Sequence, residues 1–390
     1  NAAFALRLGA SNEEIGLLSS IPALLAVVVL IPSGQILGRR SQRMPLINWS
    51  LFLHRLGFLL LALVPFVPGI AQGTAVIWLL IACNPPAQFF SIGWNSMLAD
   101  VLPESRRARV FAIRNILNGV TVTLSIFLFG LWLDHVVFPI NYQVMYAVGW
   151  ICSMVSSYYI TRLKVPDSYV PPPRASASRP SFSLRQRLGD IWQKHPDFVR
   201  ITINTFLTNI TIWMIGPIYI LYYVRQLGAT EGWIGLNGTL ASLTPILGNI
   251  LWQRWVWRWG EKKLLTWSVF CIPLYPILVG MTPDLRVILI WTAIYSAILP
   301  LANMSHFSLL LKICPDAERP QFLGLFSTVM NIGATVAPLV GVYLAEIFGF
   351  ATVLIAGGIV SVVGSASYLV LRLSTPDALD ARKAAMRNGA

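Results

Sequence analysis

Long apolar stretches recur along this chain, and they limit what it can fold into more than any other feature. Each is close to the roughly 20 residues that a helix needs to cross a bilayer. Because lipid offers backbone groups no hydrogen-bond partner, such stretches are predicted to be helices. Hydrophobic residues make up 56% of the chain and charged residues 12%, a balance that no soluble fold of this length would bury. The eleven predicted spans are 15–37, 45–66, 74–101, 106–133, 142–163, 200–224, 232–252, 264–281, 287–311, 321–347 and 350–371.

The second half of the sequence repeats landmarks of the first half. Residues 8–17 read LGASNEEIGL, and residues 227–236 read LGATEGWIGL at the start of a corresponding apolar stretch. A second pair of similar segments supports the repeat: PESRR at 103–107 and PDAER at 315–319 each precede a later span of their half. Duplicated sets of spanning helices are typical of secondary transporters, which bind their solute near the bilayer midplane.

The two copies differ in what precedes them. A full span at 200–224 leads to the second copy, whereas only a stub at 1–6 leads to the first. We therefore expect that most of a first helix is missing from this sequence and that the fold has twelve helices. The predicted fold class is an all-α membrane protein with two pseudo-symmetric six-helix bundles, at 1–163 and 200–373.

A polar segment at 164–199 is predicted to join the two bundles, and a tail at 374–390 ends the chain. The three prolines at 171–173 and the serines after them favour an extended, mobile linker. Apolar side chains at 184–195 then follow a helical period beside basic residues, which indicates a short amphipathic helix on the membrane surface. A disordered tether is the alternative interpretation.

The formal charge of +13 is distributed unevenly. By the alternation of the spans, the loops that contain Arg7, Arg225 and Arg286 lie on one side of the membrane, and the other basic loops lie on the opposite side. This asymmetry follows the positive-inside rule, so the basic side and the C-terminus are predicted to be cytoplasmic, in a cell (inner) membrane. The charge therefore does not indicate a nucleic-acid partner.

The sequence contains none of the patterns typical of an enzyme. An HExxH metal motif, a GxSxG nucleophile elbow and a pair of intramembrane acids are all absent. The cysteines are not spaced as metal ligands. The four cysteines are Cys83, Cys152, Cys271 and Cys314. We expect no enzymatic activity, no cofactor and no metal.

Two loop segments carry a resemblance to a known family. Residues 34–43, GQILGRRSQR, resemble the loop between helices two and three of the major facilitator superfamily, although Gly38 and Ser41 replace its usual Asp and Gly. Residues 258–263, RWGEKK, resemble its version in the second half, and residues 100–107 resemble its link between helices four and five. The resemblance implies the two-bundle fold and a gating or conformational role for Gly34, Arg39, Arg40, Arg43, Asp100, Arg106 and Arg107.

Polar side chains recur at helical spacing on three spans. Because a polar group is costly in lipid, these stripes should face partner helices or a water-filled cavity. The resemblance implies that these spans are helices four, seven and ten, which line the central cavity of the family. Hydrogen bonding between packed helices is the alternative. The candidate substrate-binding residues are Gln88, Ser91, Trp94, Asn95, Asn204, Thr208, Thr211, Asn303 and His306.

Prolines are expected to interrupt two of the same spans, at Pro85 and Pro86 and at Pro300. Proline removes an internal hydrogen bond and permits a helix to bend. Such breaks suit either a binding or rocking site or a plain structural kink.

His54 and Arg55 form the most unusual pair in the sequence, because Arg55 lies deep in a predicted span, where an unpaired charge is expensive. No Asp or Glu occurs at a similar depth. The missing helix, backbone carbonyls or an anionic ligand would have to compensate the charge, and both a functional and a structural role stay open. Only His54 and His306 could titrate at depth near neutral pH, so the sequence lends little support to proton coupling.

Together these patterns predict a secondary transporter. It would act as a monomer in contact with membrane lipids and move a small solute by alternating access between its two bundles. The aromatic, uncharged stripes favour an amphipathic or neutral solute. The alternative is a membrane scaffold or assembly factor that keeps this fold without transporting anything.

Overall fold

The structure of the protein, a computed structural model, describes residues 1–39, 44–101, 104–162, 193, 195–314 and 319–370. Within these ranges the chain is almost entirely helical and contains no strand. Of the predicted amphipathic helix at 184–195 only residues 193 and 195 are described, and the tail at 374–390 lies outside the described residues.

Within each half, most helices are joined by short connections. Those of the first half are α1 (Ala2–Arg7), α2 (Asn12–Arg39), α3 (Met44–Leu63), α4 (Gln72–Ala82), α5 (Asn84–Val101), α6 (Glu104–His135) and α7 (Ile140–Thr161), with a 3-10 turn at Val64–Phe66. Those of the second half are α8 (Pro196–Leu221), a π-helical turn at Tyr222–Gln226, α9 (Glu231–Cys271), α10 (Leu274–Met281), α11 (Leu285–Ile313), α12 (Arg319–Phe348) and α13 (Phe350–Val370).

Eight helical stretches among the described residues are long and apolar enough to cross a membrane. One of them, Glu231–Met281, is 51 residues long and contains two of the predicted spans. The predicted spans at 15–37 and 142–163 coincide with α2 and α7. The prediction of an all-α membrane protein is therefore confirmed, and the chain crosses the membrane several times.

The chain divides into two compact units. Unit 1 comprises residues 1–179 and 229–238, and unit 2 comprises residues 180–228 and 239–390. The domain boundaries predicted from the sequence, at 163 and 200, flank residues that the structure does not describe, and they stay predictions.

The beginning of α9 belongs to unit 1, and three contacts join it to α1 and α6 of that unit. Nε of Arg7 donates to Oε1 of Glu231 at 3.1 Å. The backbone N–H of Gly232 donates to Oδ1 of Asp134 at 2.7 Å. Gly130 and Gly235 approach so closely that a Cβ on Gly130 would lie 2.8 Å from the Cα of Gly235.

The repeated sequence folds in the same way in both halves. Gly9 and Gly228 adopt positive φ angles of 89° and 64°, which L-residues with a side chain rarely adopt. The next helix then starts with a hydroxyl cap: Oγ of Ser11 accepts from the N–H of Glu14 at 3.2 Å, and Oγ1 of Thr230 accepts from the N–H of Trp233 at 3.2 Å. In the first copy the carboxylate of Glu14 also accepts from the N–H of Ser11, which completes a capping box.

Only one of the two predicted proline breaks occurs. The span predicted at 74–101 consists of α4 and α5, which meet at a turn because Pro85 and Pro86 cannot donate to the carbonyls of Ile81 and Ala82. The predicted interruption at Pro300 is wrong: α11 continues through it from Leu285 to Ile313. A proline in the middle of a long packed helix removes one hydrogen bond without ending the helix.

The turn that the sequence analysis compared with a family loop in the second half contains a positive-φ glycine. Gly260 has φ 74° and ψ 156° and separates two arms of α9. The next residue, Glu261, accepts from Oγ of Ser308 at 2.6 Å and from Nζ of Lys312 at 2.8 Å. These bonds fasten the second arm of α9 to the end of α11 in unit 2.

In unit 2, α8 packs against α12 and α13, and small residues allow the approach. A Cβ built on Gly341 of α12 would lie only 1.9 Å from the carbonyl oxygen of Met214 on α8. On the same helix, Gly324 has open space around it. Substitutions at these two glycines therefore distinguish the effect of helix packing from the effect of helix propensity.

We predict that Gly341→Ala lowers the stability of the folded protein by about 1–3 kcal/mol, because the added methyl forces α8 and α12 apart. Gly324→Ala should leave stability unchanged or raise it slightly, since alanine favours a helix. Thermal unfolding of the purified proteins in detergent measures both. Equal melting temperatures for the two variants would contradict the packing described.

Candidate functional site

The polar stripe of α8 faces the interior of unit 2. Asn204, Thr208 and Thr211 are all buried. Oγ1 of Thr208 donates to the carbonyl of Asn204 at 2.9 Å, and Oγ1 of Thr211 donates to that of Thr208 at 3.3 Å. Ser361 of α13 donates to the same Thr208 carbonyl at 3.5 Å. The stripe thus lies in a helix-helix contact, and its role in substrate binding stays a prediction.

His306 of α11 joins a three-helix hydrogen-bond cluster. Oγ1 of Thr205 on α8 lies 2.7 Å from Nε2 of His306, 3.1 Å from the hydroxyl of Tyr368 on α13 and 2.7 Å from the carbonyl of Ile201. Since the carbonyl only accepts, the hydroxyl of Thr205 donates to Ile201 and accepts from the other two. This arrangement requires a proton on Nε2 of His306.

A second polar cluster, made of tyrosines, lies in unit 2. The hydroxyl of Tyr275 lies 3.0 Å from that of Tyr223 and 3.0 Å from Oγ1 of Thr292. Its ring stacks on Tyr295 with centroids 4.4 Å apart. Sequence reasoning missed the tyrosines because an aromatic residue in a span reads as apolar, and it missed Thr205 because the partners of Thr205 lie on other helices. The close spacing of Tyr219, Tyr222 and Tyr223 was the available sequence signal.

The candidates on α5 have different environments within unit 1. Ser91 is exposed and Gln88 is half-buried. Trp94 stacks on Phe90 with centroids 5.8 Å apart and packs beside the buried Ile47 of α3. Asn95 lies in α5, but its side chain is outside the described part of the structure.

Asn303 of α11 differs from the other candidates of unit 2 because its side chain is exposed. Three residues later, His306 turns toward α8, so the two share a helix but not an environment. Along the same helix, Thr292 and Ser296 are buried. The structure therefore joins α8 and α11 through Thr205 and His306, and it leaves Asn303 accessible.

The gating candidates fall mostly outside the described side chains. Gly34 and Arg39 lie in α2, Asp100 lies in α5, and Arg106 and Arg107 lie in α6, in each case without a described side chain. Arg40 and Arg43 lie outside the described residues altogether. Their gating role stays a prediction.

His54 and Arg55 both lie on α3, and they form hydrogen bonds with different helices of unit 1. Nδ1 of His54 donates to the carbonyl of Cys83 at 3.2 Å, at the turn between α4 and α5. Arg55 donates to the carbonyl of Ser153 and to the hydroxyls of Ser156 and Ser157 on α7. Of the three compensating groups that were expected for Arg55, a backbone carbonyl is present, with two serine hydroxyls beside it.

Unit 2 also contains an apolar cavity of about 740 Å³ between α8, α12 and α13. Thr211 is the candidate residue that reaches it. Ala337 and Ala356 line the cavity with short side chains. Gly333 and Gly357 also line it but pack closely against α8, where an added Cβ would lie 2.6 Å from the side chains of Trp213 and Ile215 respectively. The remaining lining residues are Phe206, Ile210, Met214, Ile332, Val336, Val340, Leu344, Phe348, Thr352, Val353 and Val360.

The sequence is similar to a known protein family and to curated proteins. The model of the Major Facilitator Superfamily matches residues 2–196 and 201–388. The multidrug resistance protein MdtG of Klebsiella pneumoniae (strain 342) is 28% identical over 159 residues, which are 39% of this chain and 37% of that protein. MdtG of Proteus mirabilis (strain HI4320) is 26% identical over 175 residues, 43% of this chain and 40% of that protein. The chain thus spans about two fifths of the length of these curated relatives.

Solved structures match over nearly the whole chain. The nucleoside transporter NupG has a TM-score of 0.66 at 13% identity and covers 96% of this chain and 94% of its own. A bacterial homolog of the human lysosomal transporter Spinster, inward-facing and occupied, has a TM-score of 0.69 at 12% identity, covering 96% and 93%. A D-xylose-proton symporter has a TM-score of 0.66 at 13% identity, covering 95% and 91%. These likenesses confirm the predicted two-bundle fold.

We predict that Thr205→Val destabilises unit 2 by about 1–3 kcal/mol, because it leaves buried His306 and Tyr368 without their partner. Thr202→Val on the same helix is the matched control, since the Thr202 hydroxyl bonds only to the Phe198 carbonyl of its own helix. Thermal unfolding in detergent gives the comparison. If both variants melt at the same temperature, the three-helix cluster contributes nothing to stability.

Proposed function

Because the chain belongs to the Major Facilitator Superfamily, whose model matches both of its halves, we propose that it is a secondary transporter that moves a small solute across the membrane. The two bundles would expose the solute site alternately to the two sides. The observation that carries the proposal is the match over 2–196 and 201–388, since a transporter of this kind needs both halves.

The accessible polar side chains on spanning helices support this proposal. Ser91 of α5 and Asn303 of α11 are exposed, although lipid disfavours polar groups. They would face the hydrated solute pathway. Asn204, Thr208, Thr211 and His306, which are engaged inside unit 2, would position the helices around it. Gln88, Trp94 and Asn95 complete the proposed lining.

The solute is proposed to be neutral or amphipathic, with an apolar body. The apolar cavity beside Thr211 supports this class, because its surface offers contacts to hydrocarbon and aromatic groups rather than to charges. Two relatives are named multidrug resistance proteins, which is compatible with such a solute. The nucleoside and xylose transporters share only the fold.

We further propose that the protein acts as a monomer in a cell (inner) membrane, with its basic loops and its C-terminus in the cytoplasm. The distribution of Lys and Arg supports this orientation. The gating role of Gly34, Arg39, Arg40, Arg43, Asp100, Arg106 and Arg107 belongs to the same proposal. The similar solved structures are named as a nucleoside transporter and a D-xylose-proton symporter, which supports a function in transport without catalysis.

The second candidate function is a non-transporting membrane scaffold with this fold. The loss of the usual Asp and Gly in the loop at 34–43 favours it. The accessible polar residues on α5 and α11 argue against it, because a scaffold has no need of a hydrated pathway. Accessibility of these positions to a water-soluble reagent separates the two functions.

We predict that a membrane-impermeant thiol reagent labels Asn303→Cys in a background without the four native cysteines. Ser296→Cys on the same helix is the matched control and should stay unlabelled, because Ser296 is buried. A transported solute should slow labelling of Asn303→Cys. Labelling is measured by the mass shift of protein from intact cells and from inside-out vesicles.

The outcomes separate the two functions. Labelling of Asn303→Cys from one or both membrane sides, modulated by a solute, supports transport. An unlabelled Asn303→Cys in both preparations, with the protein folded and inserted, would mean that this face contacts lipid or another helix, as in a scaffold.

We predict that Ala356→Phe, which fills part of the apolar cavity, lowers transport of the neutral dye Nile red by about tenfold, the factor that 1.4 kcal/mol of lost contact energy produces. Val363→Phe on the same helix is the control, since Val363 is exposed and does not line the cavity. Dye movement in vesicles gives the rates. Equal rates for the variants and the unmodified protein would remove the cavity from the solute pathway.

A further inference from the structure

The guanidinium of Arg55 has no anionic partner among the described residues. Its contacts on α7 are the carbonyl of Ser153 and the hydroxyls of Ser157 and Ser156, the last at 3.0 Å. All three acceptors are neutral, and the ion pairs of the described chain lie elsewhere. The positive charge is therefore held in place by hydrogen bonds, and no acidic group of the described ranges neutralises it.

The cluster lies near one end of its two helices. Ser157 is four residues before the end of α7 at Thr161, or about 6 Å at 1.5 Å per residue. Arg55 is eleven residues inside α3, but a helical side chain points toward the N-terminus, which is the same membrane side. The guanidinium is thus carried from mid-helix toward the boundary between acyl chains and headgroups on the side predicted to be cytoplasmic.

The two helices that hold the guanidinium carry exposed apolar side chains close to Arg55 and the serines in sequence. Phe52 and Leu53 of α3 are 42% and 48% exposed, and Val155 of α7 is 54% exposed. On a membrane-spanning helix, exposed apolar side chains of this kind contact acyl chains. Trp49 and Tyr159, also exposed, provide the amphipathic aromatic rings that favour the membrane interface.

The cluster has donors left over. The guanidinium has five N–H groups, and the structure gives acceptors to three of them. The hydroxyls of Ser156 and Ser157 accept from Arg55, so their own protons stay available for another acceptor. Ser153 is different, because its hydroxyl already donates to the carbonyl of Trp150 at 2.8 Å.

A second cation lies on the same end of α7. Arg162 donates from Nη2 to the hydroxyl of Tyr158 at 2.5 Å, and its guanidinium carbon lies 4.8 Å from the centre of that ring. Tyr158 directly follows Ser157 in the sequence, so Arg162 and its ring partner lie at the same end of α7 as the serines. The local charge is positive at both Arg55 and Arg162.

We propose that Arg55, Ser156 and Ser157 bind the phosphate of an anionic phospholipid in the leaflet at this end of the helices. The guanidinium and the two hydroxyls donate to the phosphate oxygens, and Arg162 attracts the rest of the negative headgroup. The acyl chains cover Phe52, Leu53 and Val155. An anionic lipid matches both the uncompensated charge and the apolar rim, whereas free phosphate matches only the charge.

Native mass spectrometry of the delipidated protein with added phosphatidylglycerol tests the site. The unmodified protein should retain one lipid more tightly than the rest. Arg55→Gln should weaken this binding by about tenfold or more, because the variant loses the charge that strengthens the hydrogen bonds to the phosphate. Arg55→Lys, which keeps the charge but has fewer donors, should lie between the two.

The controls make the test specific. Arg254→Gln removes an exposed arginine from α9 and should bind lipid like the unmodified protein. Ser156→Ala with Ser157→Ala should weaken binding even if Arg55→Gln does not fold. Unchanged lipid affinity in folded Arg55→Lys and in the double serine variant would overturn the proposal.

Two further arms distinguish the source of the phosphate. Millimolar inorganic phosphate should not displace phosphatidylglycerol, and zwitterionic phosphatidylcholine should bind more weakly. Displacement by inorganic phosphate, or equal affinity for the two lipids, would contradict an anionic lipid site. Because binding rather than transport is measured, the result is independent of the proposed transport function.

Discussion

Lipid offers no hydrogen-bond partner, and the backbone of the described chain answers that constraint. The chain satisfies its backbone by forming helices and ends them with caps, as Ser11 and Thr230 do at corresponding places in the two halves. Where Pro85 and Pro86 remove two donors, the helix breaks, and the carbonyl of Cys83 at the turn gains a bond from His54. The helices, their repeated caps and the break at the two prolines therefore all follow from the need to satisfy backbone hydrogen bonds where water is absent.

The same constraint governs the polar side chains inside the spans. Thr208 and Thr211 return their hydroxyls to their own helix, Thr205 serves three helices at once, and Arg55 collects oxygens from α7. A polar residue that is satisfied in this way stabilises the packing of its unit. The exposed Asn303 and Ser91 have a different environment, and the proposed solute pathway rests on that difference.

Much of the fold was predictable from periodicity and length. The predicted spans lie on helices, and the repeated LGAS and LGAT segments form equivalent turns with positive-φ glycines. The break at Pro300 was predicted wrongly, because a proline shows which hydrogen bond is lost but not whether the helix continues beyond it. The candidate residues were chosen because they share a helical face. Thr205, Tyr275 and Tyr368 were not predicted, because their hydrogen-bond partners are distant in sequence.

The sequence by itself determined that this chain is a duplicated set of membrane helices, because hydrophobic length and repetition are properties of residue order. Only the tertiary structure decided that His306 is bound by Thr205, that the stripe of α8 faces α13, and that Arg55 rests on serines rather than on an acid. A helical period identifies which residues share a face. What lies opposite that face, and so whether a polar group is satisfied or free to bind, depends on how separate helices pack.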